Sequence, residues 1–186
     1  MVIEEATGSS LGEEYQRRFF EPLGMTETYF QGDGPPPSSA AHGYLIGDAG
    51  TRLINDGSDY RPTTSAATVA WAAGAIVSTA GDLATWADAL YGGDVLSPAA
   101  LAEMTDFRSN PYARGTYALG TRTRLIHGRQ VVGHTGSLRG FASAMWHFPA
   151  EDLTVVVLSN RGRVDVNPIA DRLAALALES IGYPAP

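Results

Sequence analysis

The spacing of apolar residues divides the chain into a helical first part and a strand-rich second part. Ser10, with Glu13 three residues on, predicts a capping box at the start of a helix. The apolar residues that follow recur every four positions, so this helix is predicted to bury Leu11, Tyr15 and Phe19. The first residues, Val2–Ala6, read as the end of a helix that stops at Gly8. The chain is therefore expected to begin inside an element.

Two more helices of the first part have their own start signals. Thr79 with Asp82 predicts the N-terminus of one, and Ser97 followed by Pro98 predicts the N-terminus of the next. Between the first helix and these two lies the segment 71–79, Trp-Ala-Ala-Gly-Ala-Ile-Val-Ser-Thr. Its side chains are small and apolar, which predicts tight packing in the interior.

After Pro111 the pattern changes to that of strands and a closing helix. Four strands are predicted, over Tyr117–Ile126, Gln130–His134, Phe141–Phe148 and Leu153–Ser159. The continuous apolar run Val155–Leu158 predicts a strand that is covered on both faces. The last helix begins at Asn167, and its inner side is predicted to carry Ile169, Leu173 and Leu176.

Helices, then an antiparallel sheet, then a closing helix form an α+β plan. Residues 1–186 read as one partial domain, with mainly helix and loop over 1–110 and antiparallel strands plus a C-terminal helix over 111–186. No internal repeat and no linker to a second domain is evident.

Polar residues that could take part in binding or catalysis are concentrated at positions 131–141, Val-Val-Gly-His-Thr-Gly-Ser-Leu-Arg-Gly-Phe. The stretch predicts a strand edge crossed by a turn, followed by a hairpin, and its glycines permit close approach to the backbone. His134 can carry charge near neutral pH, and Thr135 and Ser137 offer hydroxyl groups. The residues alone leave two interpretations open: a glycine-rich turn with incidental polar residues, or a binding edge.

Composition excludes several classes of function. The net charge is −7 and no basic run occurs, which argues against nucleic acid and anionic membranes as partners. There is no cysteine, and the four histidines lack the spacing of metal ligands, so neither a metal nor a cofactor is expected. No apolar run is long enough to span a membrane and no signal peptide is evident, which leaves the localisation open. All 13 basic residues are arginines.

Five stretches together resemble the serine β-lactamase-like, penicillin-recognising hydrolases, on the branch with class C β-lactamases, D-alanyl-D-alanine carboxypeptidases and related esterases. They are Val2–Gly8, Phe20–Met25, Ala73–Leu83, Gly133–Ser137 and Val156–Asn160. The resemblance covers nearly the whole chain. It implies the C-terminal portion of a β-lactamase-like fold.

The resemblance also implies roles for particular residues. Such enzymes use a Ser-x-x-Lys, a Tyr-x-Asn and a Lys-Thr-Gly or His-Thr-Gly triplet. The triplet is present as His134, Thr135 and Gly136, which would hold the carboxylate of the substrate. The backbone N–H of Ser137 would supply half of the oxyanion hole. Trp71 matches an aromatic wall of the site, although an ordinary core tryptophan is an equal alternative.

The other two motifs are absent from the chain. Without lysine there is no Ser-x-x-Lys, and no asparagine has a tyrosine two residues before it. No catalytic residue is therefore assigned, and whether the chain is itself an enzyme stays open. The leading hypothesis is a C-terminal fragment of a serine hydrolase that acts on D-Ala-D-Ala-type peptides, β-lactams or esters.

Two alternatives remain beside that hypothesis. The chain could be a non-catalytic binding module derived from the same fold, or one half of a split enzyme. The expected partners are a small-molecule or peptide acyl substrate in the intact protein, and either an N-terminal half or a second copy of the chain.

The missing motifs lead to a chemical prediction. Because neither nucleophile nor base is present, we expect no stable acyl-enzyme when the purified chain is incubated with a fluorescent penicillin. Denaturing gels and intact-mass spectrometry measure this directly. A stoichiometric covalent adduct on any serine would contradict the fragment hypothesis.

Overall fold

The computed structural model of the chain describes residues 2–34, 37–47, 50–55, 70–108, 116–138 and 140–183. Two compact units are present. Unit 1 contains Met1–Asp82, Ser137–Ala142 and Ser159–Val164, and unit 2 contains Leu83–Gly136, Ser143–Leu158 and Asp165–Pro186. The predicted boundary between positions 110 and 111 lies outside the described residues, so the division of the sequence at that point stays a prediction.

Two predicted helix signals of unit 1 are confirmed, the end of one helix at Gly8 and the start of the next at Ser10. Helix α1 (Val2–Thr7) ends at Gly8, whose φ of +74° is left-handed and whose N–H donates to the carbonyl oxygen of Glu4 at 2.8 Å. Helix α2 (Leu11–Tyr15) begins at a complete capping box between Ser10 and Glu13. A π-helical turn (Gln16–Phe20) and helix α3 (Glu21–Leu23) continue it as far as Gly24, whose left-handed conformation ends the helix.

Because of the π-helical turn, the buried face of this helix differs from the predicted one. The N–H of Glu21 donates to the carbonyl oxygen of Gln16, five residues back, so the turn contains one residue more than an α-helical turn. Side chains after the turn are therefore displaced around the helix axis. Phe20 is buried in place of Phe19, which is only partly buried. The Phe20 ring lies 5.9 Å from the ring of Tyr15.

The described residues of unit 1 also form five short strands. The strands β1 (Tyr29–Phe30) and β4 (Ile76–Val77) form an antiparallel pair. The strands β2 (Gly43–Gly47) and β3 (Gly50–Asn55) form an antiparallel hairpin, and β9 (Arg161–Gly162) pairs in parallel with β2. The core of the unit is built on Leu11, Phe30 and Ala75, with Tyr15 and Trp71 packed against it.

The predicted burial of segment 71–79 is wrong for most of its residues. Ala75 is fully buried, whereas Ile76 is 43% exposed and Ala72 and Ala73 are exposed. The reason is that β4 is only two residues long and pairs with a single strand of the same length. Such a pair buries one face at most.

Unit 2 contains most of a four-stranded antiparallel sheet, in the order β5-β6-β7-β8. The strands are β5 (Arg122–Ile126), β6 (Arg129–Leu138), β7 (Phe141–Phe148) and β8 (Leu153–Ser159). Helix α4 (Ala80–Gly92) precedes the sheet and begins where the amide of Asp82 donates to the Thr79 hydroxyl oxygen. Helix α5 (Pro98–Met104) follows it with Ser97 as its cap. All four predicted strands are present, as are the two predicted helix caps.

The edge strand β8 is not covered on both faces. Val155 and Val157 are buried, while Leu158 is 42% exposed. Burial alternates along the strand with the period of two that is typical of a half-buried strand. The prediction of double coverage from the apolar run is therefore wrong for the described chain.

The closing helix α6 (Asn167–Ser180) presents a different face to the sheet from the one predicted. Its buried residues are Ala170, Ala174 and Leu178, which are at most 1% exposed. The three residues predicted to face inward are 43–56% exposed: Ile169, Leu173 and Leu176. Because alanine side chains are short, this face allows the helix to approach its neighbours closely.

Polar contacts accompany this orientation of α6. The guanidinium of Arg124 on β5 forms an ion pair with Asp171. His127 Nε2 lies 2.8 Å from the backbone carbonyl oxygen of Asp171. The indole N–H of Trp146 donates to Asn167 Oδ1 at 3.3 Å. These contacts are all made on the alanine side of the helix.

None of the helices that the structure describes is both long and apolar enough to cross a membrane.

The assignment of the buried face of α6 can be tested by a matched pair of substitutions. Leu178→Ala removes a side chain that is 1% exposed, so we expect the free energy of unfolding to fall by about 2–5 kcal/mol. Leu176→Ala, at a position that is 56% exposed, should change it by less than about 0.5 kcal/mol. Urea unfolding followed by circular dichroism measures both. Equal losses would contradict the assignment.

Candidate functional site

The His-Thr-Gly triplet lies within a strand. We expected a turn to cross the strand edge here, but β6 continues without interruption from Arg129 to Leu138. The chain reverses only after Leu138, near Gly140, whose φ is +89°, and then enters β7. His134, Thr135, Gly136 and Ser137 are therefore consecutive strand residues, whose side chains point alternately to the two faces of the sheet.

Two glycines allow the neighbouring strand to approach β6 closely. A Cβ atom on Gly133 would lie 1.9 Å from the backbone carbonyl oxygen of Met145, so no side chain fits there. A Cβ atom on Gly136 would lie 2.4 Å from the hydroxyl oxygen of Ser143. The sequence predicted a close approach at this stretch, and the structure places β7 at that position.

The imidazole ring of His134 is held at both of its nitrogens. Nδ1 lies 2.5 Å from the carbonyl oxygen of Thr135, and Nε2 lies 3.3 Å from the hydroxyl oxygen of Tyr117. A carbonyl oxygen can only accept, so Nδ1 must carry a hydrogen. In the neutral ring Nε2 is then the acceptor, and the Tyr117 hydroxyl donates to it. The Tyr117 ring also contacts the imidazole edge-on, with 5.5 Å between the ring centroids.

A permanent positive charge lies next to this pair. The guanidinium carbon of Arg122 is 5.3 Å from the centroid of the Tyr117 ring, which is within the range of a cation–π interaction. Tyr117 and Arg122 also form a β-bridge, and Arg122 lies opposite Gly133 across the β5–β6 ladder. Arg122, Tyr117 and His134 thus form a continuous group of contacts.

Sequence reasoning did not single out Tyr117 or Arg122. The dipeptide His127-Gly128, between two strand-like segments, was a signal for a two-residue turn, and in the structure both residues have positive φ, of 50° and 74°. A two-residue turn of this kind defines the register of a hairpin. Counting back from it places Arg122 opposite Gly133, next to the histidine of the triplet.

Buried hydrogen bonds support the strand just before His134. The Thr121 hydroxyl donates to the carbonyl oxygen of Gly133 at 3.2 Å. Since its only proton is used there, the Tyr91 hydroxyl must be the donor to Thr121 Oγ1, at 2.9 Å. The Tyr91 ring stacks on His147, with 5.4 Å between centroids. Burial raises the pKa of Tyr91 and lowers the pKa of His147, so both are favoured in their neutral forms.

Trp71 and Ser137 belong to unit 1. Trp71 begins a short 3₁₀ turn (Trp71–Ala73) at a φ of +44°, which is unusual for a residue other than glycine. Its ring packs edge-on against Phe30 at 5.2 Å. Its indole nitrogen is buried and has no hydrogen-bond partner in the part of the chain that the structure describes. The side chain is thus a partner of the unit 1 core, and its role as a wall of the site stays a prediction.

The Trp71 turn lies close to the end of the site strand. A Cβ atom on Gly74 would be 3.4 Å from Leu138 Cδ1, and Leu138 directly follows the exposed Ser137. Within unit 1, the turn that carries Trp71 and the residue that could supply an oxyanion N–H are therefore near one another.

Among the described residues, no group of three or more His, Asp or Glu side chains could hold a metal ion. Within the same residues, the geometry of the site depends on backbone groups, hydroxyls, one imidazole and one guanidinium.

The chain is similar to one protein-family model and to proteins whose names describe them as hydrolases. The family model described as Beta-lactamase matches residues 1–179. The unguisins hydrolase ungD' of Aspergillus campestris is 30% identical over 169 residues, which is 86% of this chain and 30% of that protein. The chain thus spans about a third of the length of the curated relatives that it matches.

Two solved structures show the same fold. The D-amino acid amidase from Ochrobactrum anthropi SV3, complexed with L-phenylalanine amide, is 25% identical with a TM-score of 0.78, over 97% of this chain and 55% of that one. The octameric penicillin-binding protein homologue from Pyrococcus abyssi is 25% identical with a TM-score of 0.76, over 99% of this chain and 40% of that one. The α+β fold predicted from the sequence is confirmed by these similarities.

The contacts of His134 predict its tautomer. In alkaline solution, where the imidazole is neutral, we expect the hydrogen to reside on Nδ1 because Thr135 O accepts it and the Tyr117 hydroxyl donates to Nε2. The ¹⁵N shifts of the two ring nitrogens in a histidine-labelled sample report this. Tyr117→Phe should increase the fraction with the hydrogen on Nε2, whereas Tyr29→Phe, at an exposed tyrosine in unit 1, should not. An Nε2-protonated ring in the unsubstituted chain would contradict the assignment.

Proposed function

The chain belongs to the Beta-lactamase family, and from that premise we propose that it provides the substrate-binding strand of a serine hydrolase. The reaction is acyl transfer from an amide or ester to water. D-Ala-D-Ala-type peptides, β-lactams and esters are the candidate substrates, and amides of D-amino acids join them because one structural relative is a D-amino acid amidase. The observation that carries the proposal is the triplet on β6, with the His134 ring held by Thr135 and Tyr117.

His134 is proposed to bind an anionic group of the substrate. In its protonated form both ring nitrogens are donors, so Nε2 can exchange the Tyr117 hydroxyl for a substrate carboxylate. The resulting hydrogen bond is charge-assisted. The guanidinium of Arg122, which lies over the Tyr117 ring, adds a positive charge beside this contact. Both features favour substrates that carry a carboxylate.

A histidine in this place also bears on the type of hydrolase. Histidine is charged only in part near neutral pH, whereas the lysine of the alternative triplet is charged throughout. We therefore favour a peptidase, amidase or esterase over a β-lactamase.

The other residues of the site have proposed roles in the same reaction. The N–H of Ser137 would donate to the oxygen that becomes negative when the carbonyl is attacked. Gly136 would keep this part of β6 close to β7, because a Cβ atom there would meet the Ser143 hydroxyl. Trp71 is proposed to form an apolar wall of the site.

The nucleophile and the base are proposed to come from residues outside this chain. In the complete reaction the serine oxygen attacks the carbonyl carbon, while a lysine or tyrosine takes its proton and passes it to the leaving group. Water then releases the acyl group from the serine. A Ser-x-x-Lys and a Tyr-x-Asn could be encoded in frame before codon 1, or could belong to a separate chain.

Substitution of His134 tests the proposed role in a protein that also contains those two motifs. His134→Gln keeps a side chain of similar size without the positive charge. We expect kcat/KM to fall about 10–100-fold for substrates with a free carboxylate, because a charge-assisted hydrogen bond is lost, and less than about threefold for neutral esters.

His42→Gln serves as the matched control, since the His42 side chain is exposed and belongs to unit 1. It should leave both substrate classes unchanged. Equal losses on carboxylate and neutral substrates in His134→Gln would make His134 a structural residue and refute its role in anion binding.

A further inference from the structure

His147 is a buried imidazole that the proposed function does not use. It lies on β7, and its side chain is only 3% exposed. Helix α4 faces the ring with Asp88 and Tyr91, and β8 faces it with Thr154. All of these residues belong to unit 2. A histidine in such surroundings can make the structure around it depend on pH.

The hydrogen bonds around His147 fit the neutral ring. The Thr154 hydroxyl donates to the Asp88 carboxylate, which can only accept while it is ionised. Because the only proton of this hydroxyl is used there, the contact of 2.9 Å between Thr154 Oγ1 and His147 Nδ1 requires a hydrogen on Nδ1. Asp88 Oδ1 lies 3.7 Å from Nδ1, which is too far for a direct hydrogen bond. The neutral imidazole therefore completes this network without a charge.

Burial opposes a positive charge on the ring. Loss of hydration is the largest influence on the pKa of His147 and lowers it, whereas the carboxylates of Asp88 on α4 and Asp152 in the turn before β8 act in the opposite direction. The Asp88 side chain is 58% exposed and Asp152 is also exposed, so water and salt screen both charges. The other two side chains in contact with the ring, Tyr91 and Thr154, are uncharged. A proton on this imidazole is thus less favourable in the folded chain than in the unfolded one.

The same imidazole supports the strand that carries the candidate site. The Tyr91 ring stacks on it with 21° between the two planes, and the Tyr91 hydroxyl donates to Thr121 Oγ1. Thr121 in turn donates to the carbonyl oxygen of Gly133, directly before His134. Movement of the imidazole removes the surface on which the Tyr91 ring lies. The hydrogen bonds that hold this part of β6 would then lose their support.

We propose that His147 makes the support of the site strand dependent on pH. The neutral ring holds Tyr91, and through it the carbonyl of Gly133, in place. When the ring gains a second N–H, its enclosed position gives the charge too little hydration, so it moves towards the exposed carboxylate of Asp88 and leaves Tyr91. This inference does not rest on the proposed function, since it requires neither a substrate nor a nucleophile.

The direction of the pH effect follows from the lowered pKa of His147. In the unfolded chain this histidine titrates with the ordinary pKa of about 6.5. Because the folded chain binds the proton less tightly, the unfolded chain carries more protons below that pH. The stabilisation by the neutral ring is therefore complete above about pH 6.5, and it is lost as the pH falls through the lower pKa of the folded ring.

Amide hydrogen exchange of the full chain, compared at acidic and neutral pH, tests the coupling to the strand. After correction for the intrinsic pH dependence of exchange, protection of the amides at residues 131–135 should fall at least about threefold between about pH 7.5 and about pH 5.5. His147→Gln retains an N–H donor for Thr154 and does not titrate, so it should abolish this loss. His42→Gln, at an exposed histidine of unit 1, should retain the loss, and so should His134→Gln, which excludes titration of the site histidine as its cause.

A second measurement follows the ring itself and does not require a variant that folds. The ¹⁵N shifts of His147 in the histidine-labelled, unsubstituted chain should show the hydrogen on Nδ1 at neutral pH and a titration midpoint below about 6.5. A midpoint at or above that value would overturn the proposal. So would an unchanged loss of protection in His147→Gln, or a loss spread evenly over unit 2. Failure of His134 to bind anions, measured by hydrolysis, would leave these results unchanged.

Discussion

The contact between Gly133 and the backbone carbonyl of Met145 is the constraint on which the geometry of the candidate site depends. With a hypothetical Cβ only 1.9 Å from that oxygen, any other residue would force the backbones of β6 and β7 apart. The close approach therefore holds the pairing of these strands in one register. A slip of one residue would turn His134 to the opposite face of the sheet.

Neighbours from other elements then determine what His134 can do. Thr121 donates to the carbonyl oxygen of Gly133 and is itself held by Tyr91, so the backbone before the histidine has a defined position. Tyr117 and the carbonyl of Thr135 hold the two ring nitrogens. The imidazole thus has a defined orientation and tautomer before any ligand binds. Such preorganisation reduces the entropy that binding must otherwise cost.

The exposed apolar residues show that the apolar pattern alone does not predict which face of a helix is buried. Helix α6 has apolar residues on two faces: the face with Leu173 and Leu176 is exposed, while the face with Ala170, Ala174 and Leu178 is buried. Patterning alone favours the face with the larger side chains. The structure instead buries the face from which Asp171 and Asn167 reach Arg124 and Trp146. The π-helical turn at Gln16–Phe20 has a similar effect, because one additional residue moves the following side chains around the axis.

Features that depend on residues close together in the chain could be predicted from the amino-acid pattern alone. These are the caps at Ser10 and Ser97, the four strands, the triplet at His134 and the absence of a Ser-x-x-Lys. Other features appear only in the folded chain: which helix faces are buried, the contacts of Tyr117 with His134 and Arg122, and the burial of the Glu151 side chain beside Arg129. The physical reason is that capping and strand propensity act over a few residues. Burial, ion pairing and hydrogen bonding of side chains depend on neighbours that the fold brings from distant positions.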